Sequence, residues 1–349
     1  MKQPHFRFLL GVGIPFVVYL CAFFLVDPLG ITGIELGGAP PFNSMQIKEK
    51  IVENLAPDGG YDGLILGTSS LMTLDLDELG NRCGRRFFNY SLFNSRPLHA
   101  LAAYRHFKRI NGVPASVIVG VDFFAYNDDA IAQEQLVLTH HLRTYVPSTD
   151  SMVAYGKAVG RGALSENGVR LLMDKLKGFG KTPTVARSID SRGTLVYHQV
   201  TREILAGNYD FRSVLAATSN TDTAFYQTYR TFDNNLRDLA SLVEEITSDG
   251  AALAIVLPAL YRSYNGNLQK LPAYDPFYAQ IQRKFGARVI DWRMAPGTER
   301  ETNFIDARHI RPEYSRALIR ILPAAAPAMP CSSPVKPTNV SLTHGTANR

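Results

Sequence analysis

The stretch Tyr61-Asp62-Gly63-Leu64-Ile65-Leu66-Gly67-Thr68-Ser69-Ser70 decides the fold class. Its apolar core is short, has no polar residue on either face and stops at a glycine. That is the pattern of a strand buried on both sides in a parallel sheet and running into a turn. A helix is expected next, near residues 75–79. Working outward, Arg86-Phe87-Phe88-Asn89-Tyr90 reads as a second strand and residues 97–110 as a helix. Ser116-Val117-Ile118-Val119-Gly120-Val121 reads as a third strand, bounded by Pro114 and Asp122. Residues 231–248 place apolar side chains at helical spacing and end before Gly250, after which residues 251–257 resume as an apolar strand stopped by Pro258. A helix over 274–285, a last strand over 287–291 and a closing helix over 311–322 complete the series. This alternation predicts an α/β three-layer sandwich in which helices cover both faces of a parallel sheet.

Residues 130–215 break the rhythm. They lack period-two runs and carry many polar, glycine and basic residues, which predicts a helical or irregular insertion. The alanine, proline, serine and threonine content beyond Pro323 predicts a disordered tail over 326–349, so the folded domain is expected at 59–325. Residues 27–58 are rich in glycine and proline, with one helix expected at 44–55, and read as a linker.

Every residue from Phe8 to Val26 is apolar, aromatic, glycine or proline. At about 1.5 Å per helical residue such a run spans roughly the 30 Å hydrocarbon core of a bilayer, so residues 8–26 read as one transmembrane helix. Lys2 and Arg7 precede the run and Asp27 follows it, which places the N-terminus in the cytoplasm and exports the remainder, a type II topology. A cleaved signal peptide is the competing reading. Against it, the apolar run is long, and Leu25-Val26-Asp27-Pro28-Leu29 offers no small residues at the cleavage positions.

The net charge of +6 over 349 residues is modest, and lysine and arginine are scattered instead of forming a stripe with interleaved aromatics, which argues against a nucleic-acid partner. Of the three cysteines, Cys21 lies in the membrane segment, leaving Cys83 and Cys331 in a compartment where a disulfide would persist; spacing does not say whether they pair. No metal is expected. Cysteine spacing of the metal-binding kind is missing, and the adjacent His140 and His141 would point to opposite faces of a strand.

Two places carry chemistry. Ser69 sits in Gly67-Thr68-Ser69-Ser70 at the C-terminal end of the first strand, where open parallel sheets place their ligand crevice and where a tight turn aims backbone N–H groups at an oxyanion. The plainer reading is that Ser69, Ser70 or Thr73 caps the following helix. Far along the chain, Phe304-Ile305-Asp306-Ala307-Arg308-His309 spaces an aspartate and a histidine three apart, so that they meet on one side of a helical turn. A carboxylate on Nδ1 fixes the histidine tautomer and leaves Nε2 to take a proton from a serine hydroxyl. The plainer reading there is a solvated surface loop.

A G-x-S turn after the first strand and a D-x-x-H near the C-terminus resemble the first and last blocks of the SGNH, or GDSL-like, hydrolase superfamily, over roughly residues 60–325. Phe88-Asn89-Tyr90-Ser91-Leu92-Phe93-Asn94-Ser95 stands where that superfamily carries its N-x-G-x-x-G-like second block. Val119-Gly120-Val121-Asp122-Phe123-Phe124 stands where its G-x-N-D third block falls. Within the superfamily the chain is most similar to membrane-anchored envelope members with G-[ST]-S turns, the group that includes proteins of alginate O-acetylation and teichoic-acid D-alanylation. The resemblance implies a flavodoxin-like sandwich, Ser69 as nucleophile, His309 as general base and Asp306 as its orienting acid. It implies that the Ser91 N–H lines the oxyanion hole with the Asn94 amide. Two positions depart from the pattern: Ser91 replaces a glycine, and Asp122 replaces an oxyanion-binding asparagine. A charged Asp122 would oppose an oxyanion, so it either faces elsewhere or the hole is built differently; read plainly, it ends the strand and caps the next turn.

These implications make the chain a bacterial inner-membrane protein with an extracytoplasmic serine esterase or O-acyltransferase domain that needs no cofactor. Its acceptor would be a surface polysaccharide or related polymer, and its partner a multi-pass membrane protein that donates the acyl group. Tyr145, Tyr155, Arg161 and Arg170 of the insertion would offer an aromatic and basic wall to an acidic polysaccharide; the plainer reading of any one of them is a helical cover over the sheet. The alternative is an inactive relative that binds or scaffolds an envelope-polymer assembly.

Overall fold

The computed structural model describes residues 4–26, 44–55, 60–127, 166–177, 187–226 and 232–321, with the single residues 145, 164 and 229. Five parallel strands form the central sheet: β1 (Gly63–Leu66), β2 (Phe87–Asn89), β3 (Ser116–Gly120), β6 (Ala252–Leu257) and β7 (Val289–Asp291), in the order β2-β1-β3-β6-β7. A separate antiparallel hairpin pairs β4 (Ser188–Ile189) with β5 (Leu195–Val196).

Alternate side chains of the strands enter two different cores, which is why the runs read as continuously apolar. Leu64, Leu66, Val117, Val119, Leu253 and Ile255 join one core with helices α2 (Ser44–Glu53), α4 (Pro97–Asn111), α8 (Asp233–Ser248) and α10 (Tyr274–Phe285). Ile65, Ile118, Ala254 and Val256 join the other with α3 (Leu76–Cys83) and α11 (Pro312–Ile321). Helices therefore lie on both faces of a parallel sheet, the α/β sandwich that the alternation predicted. Helix α3 starts where Asp75 accepts the Glu78 N–H at 2.8 Å and ends at Gly84 in the left-handed region.

Part of the insertion is regular. Besides the β4–β5 hairpin it contains α5 (Glu166–Lys177), α6 (His198–Leu205) and α7 (Phe211–Tyr226). A short helix, α9 (Arg262–Leu268), follows β6. Strands of two residues carry no legible period, which is why the hairpin does not announce itself. Helix α2, read from sequence as part of a linker, packs into the domain: Met45 and Val52 are in its core and Lys48 is fully buried.

Helix α1 covers Pro4–Val26, with its side chains described from Gly13 onward. Among the described residues no helix is long and apolar enough to cross a membrane. Cys83 is disulfide-bonded and Cys21 is free. The expected tail over 326–349 lies outside the described residues.

Candidate active site

The C-terminal end of β1 delivers Ser69 into a 3-10 turn, Ser69–Leu71. Gly67 makes this possible. Its φ is 137°, and a Cβ there would lie 3.0 Å from Cα and N of Gly120 at the end of neighbouring β3. Thr68, extended, caps the turn. Its hydroxyl donates to Asp122 Oδ2 at 3.1 Å, so the single proton is committed and Ser70 must be the donor in the 2.8 Å Ser70–Thr68 hydroxyl contact. Ser70 is thereby buried and locked, while Ser69 is partly open to solvent.

Asp306 and His309 lie in a loop that precedes α11, closed by an antiparallel bridge between Phe304 and Ile310 and by the Ile305 N–H donated to the His309 carbonyl at 2.7 Å. They do not meet on a helical turn, as their spacing suggested; the carboxylate itself folds the loop. Asp306 Oδ1 accepts the N–H groups of Arg308 (2.8 Å) and His309 (3.0 Å), and Oδ2 accepts His309 Nδ1–H at 2.7 Å. Burial pushes the Asp306 carboxyl up, but the charges of His309 and Arg308 and these N–H donors outweigh it and hold the group well below the usual carboxylate range. An ionised carboxylate only accepts, so Nδ1 carries a proton, and in the neutral imidazole Nε2 then presents its lone pair to the Ser69 hydroxyl at 2.8 Å. Ser69, His309 and Asp306 thus form one hydrogen-bonded line, with Ser69 just beyond the carboxyl end of β1.

The loop after β2 is fastened to this turn. The N–H groups of Tyr90 and Leu92 are donated to Ile65 O (2.8 Å) and Gly67 O (2.9 Å), and the Ser95 hydroxyl to Gly67 O at 2.7 Å. The Ser91 N–H, expected in an oxyanion hole, is instead donated to Asn89 Oδ1 at 3.1 Å, because the Asn89 side chain turns back across its own loop. Asn94, between the two anchor points, sits at φ 49°, a left-handed conformation that asparagine tolerates and that is enriched where function holds a backbone in place.

Asp122 does not present its carboxylate as an oxyanion ligand. Oδ2 accepts from Thr68, and Oδ1 accepts the Phe124 N–H at 3.3 Å, so the residue ends β3 and caps the next turn while bracing the Ser69 turn.

Sequence reasoning missed two features here. Lys48 of α2 is fully buried and donates to the carbonyls of Asn89 (2.8 Å) and Ser91 (2.6 Å), clamping the loop after β2. Burial pushes its ammonium well below the usual lysine range, against the opposing charge of Asp190. The signal was present: Lys48 falls between Met45 and Val52 on the apolar face of α2. The second feature is the insertion's aromatic wall. The ring of Tyr197 lies 6.3 Å from that of His309, and the Tyr209 hydroxyl donates to Ile305 O in the loop that carries Asp306 and His309. Burial, aided by the Asp306 charge, pushes the Tyr209 phenol up to about 12. The hairpin that leads to Tyr197 locks onto the end of β2 through the Asn89 N–H, donated to Arg192 O at 2.8 Å.

Of the four wall residues expected from sequence, two are described. Tyr145 packs on α4, its carbonyl accepting from Arg105 at 2.7 Å, and Arg170 is exposed on α5; Tyr155, Arg161, His140 and His141 lie outside the described residues. Among the described residues no three His, Cys, Asp or Glu side chains converge as metal ligands. A cavity of about 380 Å³ lined by Tyr61, Asp77, Arg85, Arg86 and Arg192 contains none of the triad residues. No protein-family model matches the chain, and no curated protein matches it.

Proposed function

We propose that the chain is a serine esterase or O-acyltransferase of the SGNH type, acting through an acyl-serine intermediate on a polysaccharide or related polymer of the bacterial envelope. The observation that carries this reading is the line Ser69 Oγ–His309 Nε2–Nδ1–Asp306, with a 2.8 Å contact between side chains 240 residues apart and a 2.7 Å contact within the Asp306–His309 loop. Ser69 Oγ attacks the ester carbonyl as His309 takes its proton. The tetrahedral oxyanion collapses, His309 protonates the departing alkoxide, and the acyl group stays on Ser69. Water or a sugar hydroxyl then gives its proton to His309 and attacks the acyl-serine; the acyl group leaves as acid or new ester while His309 returns that proton to Ser69 Oγ. The Ser69 N–H, which has no protein acceptor among the described residues, and the Asn94 amide are the donors we assign to the oxyanion.

In this reading the domain lies outside the inner membrane, held by α1 as a type II anchor. The charge asymmetry around residues 8–26 and the disulfide at Cys83 support that side. A tether of this kind suits an acyltransferase that receives its acyl group from a multi-pass membrane partner, since co-localisation raises effective concentration toward roughly the millimolar range. Tyr197 beside His309 supports a sugar acceptor, because an aromatic ring offers a stacking face to a pyranose.

A second reading, an inactive relative serving as a binding or scaffolding subunit, is favoured by Asp122 in place of an asparagine and by the Ser91 N–H being spent on Asn89. The two separate when the detergent-solubilised chain is given an acetyl-ester donor with and without oligosaccharide acceptors, and acetylated sugar and free acetate are measured together. Ser69-dependent acetyl transfer supports the acyltransferase. Acetate release indifferent to every acceptor makes the protein an esterase, and no turnover supports the scaffold.

A further inference from the structure

We propose that α5 is a second membrane contact, an amphipathic helix lying in the interfacial layer of the bilayer beside α1. The inference rests on reading α1 as the anchor. Leu172 of α5 is buried against Phe23 of α1, with Tyr19, Leu20, Ala22 and Val26 packed around the pair. If α1 spans the bilayer with Asp27 at its outer surface, a rise of about 1.5 Å per residue puts Phe23 roughly 6 Å and Tyr19 roughly 12 Å below that surface. A helix packed on this stretch has to lie at the same depth. It is the depth of roughly 5–10 Å at which interfacial amphipathic helices bury their apolar faces.

The surface of α5 fits that position. Val169, Met173 and Leu176 follow one another at i, i+4 and i+7, which places them within an arc of roughly 60° at 3.6 residues per turn. They are 45%, 45% and 44% exposed, an apolar stripe that no element among the described residues covers. The stripe lies next to buried Leu172 around the helix, so it continues the apolar flank of α1, where Ile14, Val17, Val18 and Leu25 are all at least half exposed. On its other side come Arg170 and Lys177, both exposed. Going round α5 one meets the contact with α1, then an apolar stripe facing acyl chains, then two cations at the level of the phosphates, where long basic side chains place their charges. Leu164, just before the helix, adds a further exposed apolar side chain.

The full-length chain in a Cys21→Ser background, with Cys83 in its disulfide, would carry single cysteines at Met173, at Val17 in the anchor or at exposed Arg283 on α10. Each would be labelled with the environment-sensitive NBD fluorophore and reconstituted in vesicles of phosphatidylethanolamine and phosphatidylglycerol. The proposal expects the Met173→Cys label to be quenched by doxyl-bearing lipid, as the Val17→Cys label is, and to resist aqueous iodide several-fold better than the Arg283→Cys label. Iodide quenching at 173 equal to that at 283, with position 17 still quenched from the lipid, overturns the proposal and leaves the anchor standing. Loss of lipid quenching at 17 as well, with the protein failing to float with the vesicles, overturns the anchor reading and this proposal together.

Discussion

The Ser69 hydroxyl lies 2.8 Å from His309 Nε2 although 240 residues separate them in sequence. The parallel sheet brings them together: β1 ends in the turn that carries Ser69, and the bridge-closed loop before α11 delivers His309 to the same edge. A contact of this length, with an aspartate on the far ring nitrogen, is the geometry that general-base activation of a serine requires.

Asp306→Asn tests the tautomer. The amide oxygen can still accept the two backbone N–H groups that shape the loop, but its NH₂ would face Nδ1 and drive the proton to Nε2. We expect an intact fold and ester turnover lowered by about 10³–10⁴-fold, read by steady-state kinetics. Turnover near wild type would mean that the Asp306–His309 bond does not serve catalysis.

The same carboxylate sets an acid limit on stability. Its folded-state value lies below the ordinary 3.8, so its contribution is present above 3.8 and is lost as pH falls toward the folded value. The difference in unfolding free energy between wild type and Asp306→Asn should shrink as pH falls below about 4, as measured by urea unfolding at stepped pH. A difference that grows on acidification would contradict the assignment.

Asp122 and Ser70 are braces in this account. Asp122→Asn should change turnover only a few-fold, whereas Asp122→Ala should lower stability by about 1–3 kcal/mol through the orphaned Thr68 hydroxyl and Phe124 N–H. Ser70→Ala should keep most activity and cost about 1 kcal/mol, one hydrogen bond. A rise in turnover of an order of magnitude in Asp122→Asn would place the charge against the oxyanion after all.

Lys48→Met removes both donors to the loop that carries Asn94, while also removing a buried charge whose desolvation is costly. We expect kcat to fall with little change in KM, and stability to drop by about 1–3 kcal/mol as the carbonyls of Asn89 and Ser91 lose their partner. Unchanged kcat and unchanged stability would make the clamp irrelevant.

How much of this was legible follows from what each residue depends on. Leu64-Ile65-Leu66 and Val117-Ile118-Val119 read as strands because both faces of the sheet are covered, so local sequence and tertiary environment agree. The spacing of Asp306 and His309 gave their pairing but not their conformation, which a bridge between Phe304 and Ile310 imposes. Where Asp122 points depends on Thr68, 54 residues away, and no local pattern encodes that. Lys48 was hidden because a lysine in a glycine- and proline-rich stretch reads as solvated, although its place between Met45 and Val52 marked the buried face. Tyr197 follows a hairpin of two-residue strands, whose only local sign is the Asp190-Ser191-Arg192-Gly193 turn.

The central claim is that Ser69 is an activated nucleophile, and a fluorophosphonate probe measures that most directly. The full-length chain in detergent would be incubated with the probe and digested, and the modified residue located by mass spectrometry, with Ser69→Ala, His309→Ala and Ser70→Ala run alongside. The account predicts a single adduct on Ser69, absent in Ser69→Ala, strongly slowed in His309→Ala and retained in Ser70→Ala. An unmodified Ser69 in folded protein, or labelling of Ser69 that is as fast without His309 as with it, would contradict it.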